Sequence, residues 1–143
     1  MMMAASRKQH TVDVIEPALK SGSWVLCDRY ADASYAYQGG GRKLGLDVVA
    51  SLHELLSIDL QPDLTLLLDM PIEDGLKRMA ARGKPDRIEK EALDFFERAR
   101  AAYLQRAKDQ PARMKVVDAG LSLEGVQQQV NVLLTTFLAD THG

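Results

Sequence analysis

The sequence predicts an α/β fold with a parallel sheet flanked by helices, on three observations. Residues 24–27, 64–68 and 114–117 are short, nearly continuous apolar runs, as strands buried on both faces require. Each run ends in an aspartate: Asp28, Asp69 and Asp118. The stretches between them carry helical periodicity and are long enough for parallel crossovers.

The 143 residues suffice for one domain spanning 1–143, and 46% apolar against 27% charged residues is an ordinary globular balance. A net charge of −2 gives no electrostatic footprint for nucleic acid or an anionic membrane. Any anion must therefore be met by local clusters of Arg and Lys. Cys27 is the single cysteine, which excludes an internal disulfide framework and a multi-thiolate zinc site and points to a reducing, cytoplasmic setting. No apolar run approaches the roughly 20 residues that span a bilayer, and the opening residues lack a signal-peptide pattern.

In order along the chain, Met3, Thr11, Val14, Ile15 and Ala18 recur at helical spacing, and Gly22 stands where a helix stops. Pro17 removes a backbone donor inside that helix and predicts a kink. The first strand, 24–27, follows. Val48, Val49, Leu52, Leu55 and Leu56 predict the next helix, and Pro62-Asp63 introduces the second strand. Pro71 suits a first helical turn, with Ile72, Leu76, Met79 and Ala80 as the apolar stripe and Gly83 as the stop. A further helix aligns Ala92, Phe96, Ala99 and Tyr103. The last, entered through Ser122, aligns Leu123, Val126, Val130, Leu133, Leu134 and Phe137, and both stripes are expected to face the core.

Candidate chemistry starts at the carboxyl end of the first strand, where open parallel sheets bind ligands. Asp28, Arg29 and Tyr30 stand there, and a guanidinium offers phosphate a planar fork of donors. Arg7, four residues from Met3 and seven from Val14, leans toward the apolar stripe, where a cation wants an anion. Tyr37 offers a flat face, and Gln38 an amide that donates and accepts, as a base edge requires. The following Gly39-Gly40-Gly41 lacks the GK[ST] of a phosphate cradle and reads as a flexible loop. The densest cationic stretch, 77–87, places Arg78 and Arg82 on one helix side with Arg87 beyond a Gly and Pro break. Arginines on a mobile cover neutralise charge in phosphoryl transfer.

Taken together and in this order, Arg7-Lys8-Gln9-His10, Asp28-Arg29-Tyr30, the stretch 36–42, the stretch 62–69 and Arg82-Gly83 through Asp86-Arg87-Ile88-Glu89 resemble the bacterial thymidylate kinases, from Met1 to the last helix. The resemblance implies a P-loop nucleoside monophosphate kinase that transfers the γ-phosphoryl group of ATP to dTMP with Mg²⁺, giving dTDP, and a homodimer. It implies that Arg7 and Arg29 hold the dTMP phosphate and that Asp28 contacts the magnesium shell. Tyr37 would pack against the deoxyribose, and Ser34 and Gln38 would face thymine. The lid, about 78–90, would bring Arg82 to the reaction, with Arg78 and Arg87 near the ATP. Where the family stacks an aromatic ring on thymine this chain has Met3, whose thioether also packs on a base.

No strand followed by GxxxxGK[ST] occurs in the 143 residues. The resemblance therefore implies an N-terminally truncated, incomplete P-loop fold with three strands left, whose apolar runs at 24–27 and 64–68 expose edges or pair anew. Little or no kinase activity is expected of the chain alone. Two alternatives stand beside it: a noncatalytic dTMP-binding or subunit-associating fragment, and a different P-loop nucleotide kinase sharing the Asp-Arg pair.

Overall fold

The structure, a computed structural model, describes residues 2–56, 58–81 and 90–141. The chain opens with α1 (Met2–His10), a π-helical turn (Thr11–Ile15) and α2 (Glu16–Lys20), ending at Gly22 with φ 80°. The break expected at Pro17 appears one turn earlier, as π winding that closes with the Glu16 N–H donating to the Thr11 carbonyl. Pro17 then opens α2, where its missing donor costs nothing.

Residues 23–27 form no strand, which corrects the expected first strand. Trp24 is 70% exposed and Leu26 is 101% exposed. The physical reason is a missing neighbour: β1 (Thr65–Asp69) pairs in parallel with β2 (Met114–Asp118), and no other strand among the described residues lies beside 24–27. The sheet thus has two described strands rather than three. Its register runs from Thr65 opposite Met114 to Asp69 opposite Asp118, so both aspartates fall at the same carboxyl edge.

Between residues 23–27 and the sheet lie α3 (Ala31–Ser34), a second π-helical segment (Tyr35–Gly41) and α4 (Leu46–Leu55). The glycine triplet is not a flexible loop but part of that π segment, packed against α6 (Lys90–Asp109). A Cβ on Gly40 would lie 2.7 Å from the Ala102 Cβ, and one on Gly41 would lie 2.6 Å from Phe95. Glycine is required here for close approach. Arg98 reinforces the contact, its Nε and Nη2 donating to the Gly41 carbonyl at 3.1 and 3.0 Å.

The buried residues are mostly small: Ala31, Ala33, Ala36, Ala99 and Ala107, with Val49, Ile58, Met114 and Val117. They place the core where α3, the second π segment and α6 meet and under the sheet. On α6 it is Phe95 that packs inward, while Phe96 is exposed. After α5 (Ile72–Ala81) and the sheet comes α7 (Leu123–Thr141), whose amide at Gly125 is capped by the Ser122 Oγ at 3.2 Å. None of the α7 side chains is buried, and Leu123 and Leu134 are exposed, which corrects the expected core stripe. The expected stop at Gly83 lies outside the described residues. No described helix is long and apolar enough to cross a membrane.

Candidate functional site

Tyr30, half-buried, hydrogen-bonds Thr11 Oγ1 at 2.9 Å, and Thr11 in turn donates to the Arg7 carbonyl. This ties the Asp28-Arg29-Tyr30 triplet to the helix that carries Arg7. α3 follows at once and is fixed from within: buried Asp32 is gripped by Arg106 at 2.7 Å and Arg113 at 2.8 Å. Burial pushes the Asp32 carboxyl up, but the hydrogen bonds and charges of Arg113 and Arg106 outweigh it and hold the group below the usual range. The Arg106 guanidinium also lies over the Tyr35 ring at 3.8 Å.

On this platform Ser34 accepts a hydrogen bond from Arg7 Nη1 at 2.5 Å. Burial disfavours the Arg7 charge and lowers its pKa, offset in part by Tyr30, Cys27 and Tyr103. Among the described residues no carboxylate pairs with Arg7 or with Arg29. Other guanidinia are engaged: Arg100 forms a bidentate pair with Asp69, and Arg78 donates to the Ala119 and Gly120 carbonyls. A half-buried, unneutralised cation is an anion site in waiting.

Arg29 is exposed, and its guanidinium lies 5.4 Å from the Tyr37 ring. Tyr37 is held by Phe95 and Tyr103, each with ring centroids 6.0 Å away. Burial pushes the Tyr103 hydroxyl up to about 12, and both Arg29 and Arg7 pull against that shift, so the two cations converge on one neighbourhood. Tyr103, predicted only as part of a core stripe, packs against Tyr37.

Beside Arg7 opens a small cleft, with room for about 50 Å³ of solvent, lined by Met3 and Ala4 of α1, Ser34, Gln38, Leu44, and Val49, Leu52 and His53 of α4. The Gln38 Nε2 reaches the Met3 sulfur at 3.5 Å, so one wall joins a polar amide to a polarisable apolar face. The structure therefore brings together Met3, Arg7, Ser34 and Gln38 around the cleft, with Arg29 and Tyr37 on a connected aromatic cluster. Asp28 is exposed in the bend before Arg29. Arg78 is engaged away from this group, and Arg82 and Arg87 lie outside the described residues. The α4 wall escaped the sequence: Val49 and Leu52 marked only a helical periodicity, and nothing in it singled out His53.

The family model for thymidylate kinase matches residues 1–130. The thymidylate kinase of Pseudomonas putida is 50% identical over all 143 residues, which cover 68% of that protein. That of Pseudomonas fluorescens is 49% identical over 143 residues, again 68% of its length. That of Pseudomonas syringae pathovar tomato is 51% identical over 138 residues, covering 96% of this chain and 66% of the relative. With the match running from α1 through both strands into α7, the chain belongs to the thymidylate kinase family.

Proposed function

We propose that the chain binds dTMP, seating thymine in the cleft between α1 and α4 and the 5′-phosphate on Arg7 and Arg29, as the acceptor half of a thymidylate kinase. The observation that carries the reading is Arg7: half-buried, without a carboxylate partner among the described residues, and hydrogen-bonded to cleft-lining Ser34. Its charge lacks only an anion, and the neighbouring cleft is lined by both polar and apolar side chains. Ser34 and Gln38 supply the polar contacts to thymine and Met3 its apolar face. Tyr37, wedged between Phe95 and Tyr103, is stiff enough to pack on the deoxyribose.

The reaction of the family moves the γ-phosphoryl group of ATP to dTMP, giving dTDP and ADP. Magnesium, where bound, neutralises charge on the transferring phosphates. Asp28, an exposed carboxylate, would contact the shell of that ion. Among the described residues no group of three or more His, Cys, Asp or Glu side chains is placed to hold a metal ion. Arg82 of the lid, about 78–90, would approach the transferred group, with Arg78 and Arg87 near the ATP, and the active assembly would be a homodimer.

The sequence has no GxxxxGK[ST] segment, so we assign these 143 residues dTMP binding without efficient transfer. Assaying dTMP-dependent ADP release from ATP and Mg²⁺, with Arg29→Ala as the control for contaminating kinase, tests this. Expected is no turnover above the control; turnover lost in Arg29→Ala would show that the cradle is replaced or dispensable. Competition by dCMP, UMP and dGMP would expose a different nucleotide kinase.

A further inference from the structure

The cleft contains one polar side chain that neither the phosphate-gripping arginines nor Gln38 accounts for. His53, on α4, is 6% exposed, and its Nε2 is buried with no hydrogen-bond partner among the described residues. Leaving a buried imidazole nitrogen unsatisfied is costly, and native folds do so chiefly where function supplies the partner. The ring is also held in place: it meets Tyr35 edge-on at 5.1 Å and 86°, and Tyr35 is itself covered by Arg106. His53 is one of the residues that line the cleft, with Met3, Ser34 and Gln38.

We propose that His53 is a base-contacting residue, its Nε2 hydrogen-bonding the polar edge of the pyrimidine from the α4 wall while Gln38 serves from the π-helical wall. This rests on the cleft being the base site of dTMP. A neutral imidazole either donates or accepts at Nε2 according to tautomer, which matches the carbonyl oxygens and imide N–H of thymine. Burial keeps the ring neutral, and the charges of Arg7 and Arg106 act in the same direction against the weaker pull of Asp32.

The test is calorimetric titration of the 143-residue chain and its His53→Leu and His53→Gln variants with dTMP and with deoxyribose 5-phosphate, which has the sugar and phosphate but no base. His53→Leu should weaken dTMP about tenfold, leave deoxyribose 5-phosphate unchanged, and hold or raise Tm, because the orphaned nitrogen is gone. His53→Gln should recover most of the dTMP affinity. Unaltered dTMP binding by His53→Leu would overturn the role of His53 and leave the site standing. A fall in Tm with loss of both ligands would make the residue structural. Absence of dTMP binding by the unaltered chain would overturn the site and this role with it. Should His53→Leu not fold, ¹⁵N shifts of the imidazole in the unaltered chain decide: a shift of Nε2 on dTMP saturation is expected, and none would overturn the proposal.

Discussion

At Arg29 the backbone takes φ 64°, a left-handed conformation that a long side chain rarely adopts and that costs on the order of 1 kcal/mol or more. That strain aims an unneutralised guanidinium over Tyr37, beside the cleft in which Arg7 meets Ser34. Neither feature is written in the motif. The sequence identifies Arg7, Ser34, Tyr37 and Gln38, because their types and order match a known pattern, but His53 looks like one more position on an amphipathic helix. Its importance comes from what α1, α3 and α6 bring against it. Burial with Arg7 and Arg106 depresses its pKa below the ordinary 6.5, so above that value neither the folded nor the unfolded chain holds the proton. As pH falls below 6.5 the unfolded chain takes up a proton that the folded one refuses, and stability is lost down through the folded value. Urea midpoints measured between pH 7 and pH 5 should therefore fall, and His53→Leu should flatten the dependence; parallel curves would show that His53 does not contribute.

The second π-helical segment is the element on which the site depends, since Tyr37 and Gln38 sit on it and its glycines let it approach α6. Gly40→Ala would put a Cβ 2.7 Å from that of Ala102 and 3.0 Å from the Arg98 carbonyl oxygen, neither of which is a flexible chain end that can swing away. The expected loss is about 1–3 kcal/mol, read as a lower urea midpoint with unchanged slope; an unchanged midpoint would mean that the π segment and α6 do not pack so closely in solution. The triplet reads as a flexible loop in sequence because glycine's two uses, freedom and close approach, have the same signature. Only the partner helix distinguishes them. Helix existence was legible for α4, α5, α6 and α7 from their periodicity, whereas burial was not. The apolar faces of α7 and of residues 24–27 carry core patterns, but these elements have too few neighbours to cover them.

For the whole molecule, the α/β class and parallel pairing followed from apolar runs and crossover lengths, and the match to thymidylate kinases runs along nearly the whole chain. The strand count did not follow, because a strand needs a partner as well as a pattern. Trp24 and Leu26 stand exposed beside a two-stranded sheet, with Trp24 touching only the edge of the Phe137 ring at 6.2 Å among its aromatic neighbours. An exposed apolar run of this kind favours association. Leu26→Ser should change unfolding free energy by no more than about 0.5 kcal/mol and reduce self-association in sedimentation velocity; a substantially larger destabilisation would show that 24–27 is packed in solution.

The most direct test of the account is the affinity of the 143-residue chain for dTMP, measured by calorimetric titration with and without Arg29→Ala. The account predicts saturable one-to-one binding that Arg29→Ala weakens about tenfold or more, the cost of losing a charge-assisted grip on phosphate. Equal affinity in the two proteins, or no binding by the unaltered chain, would contradict it.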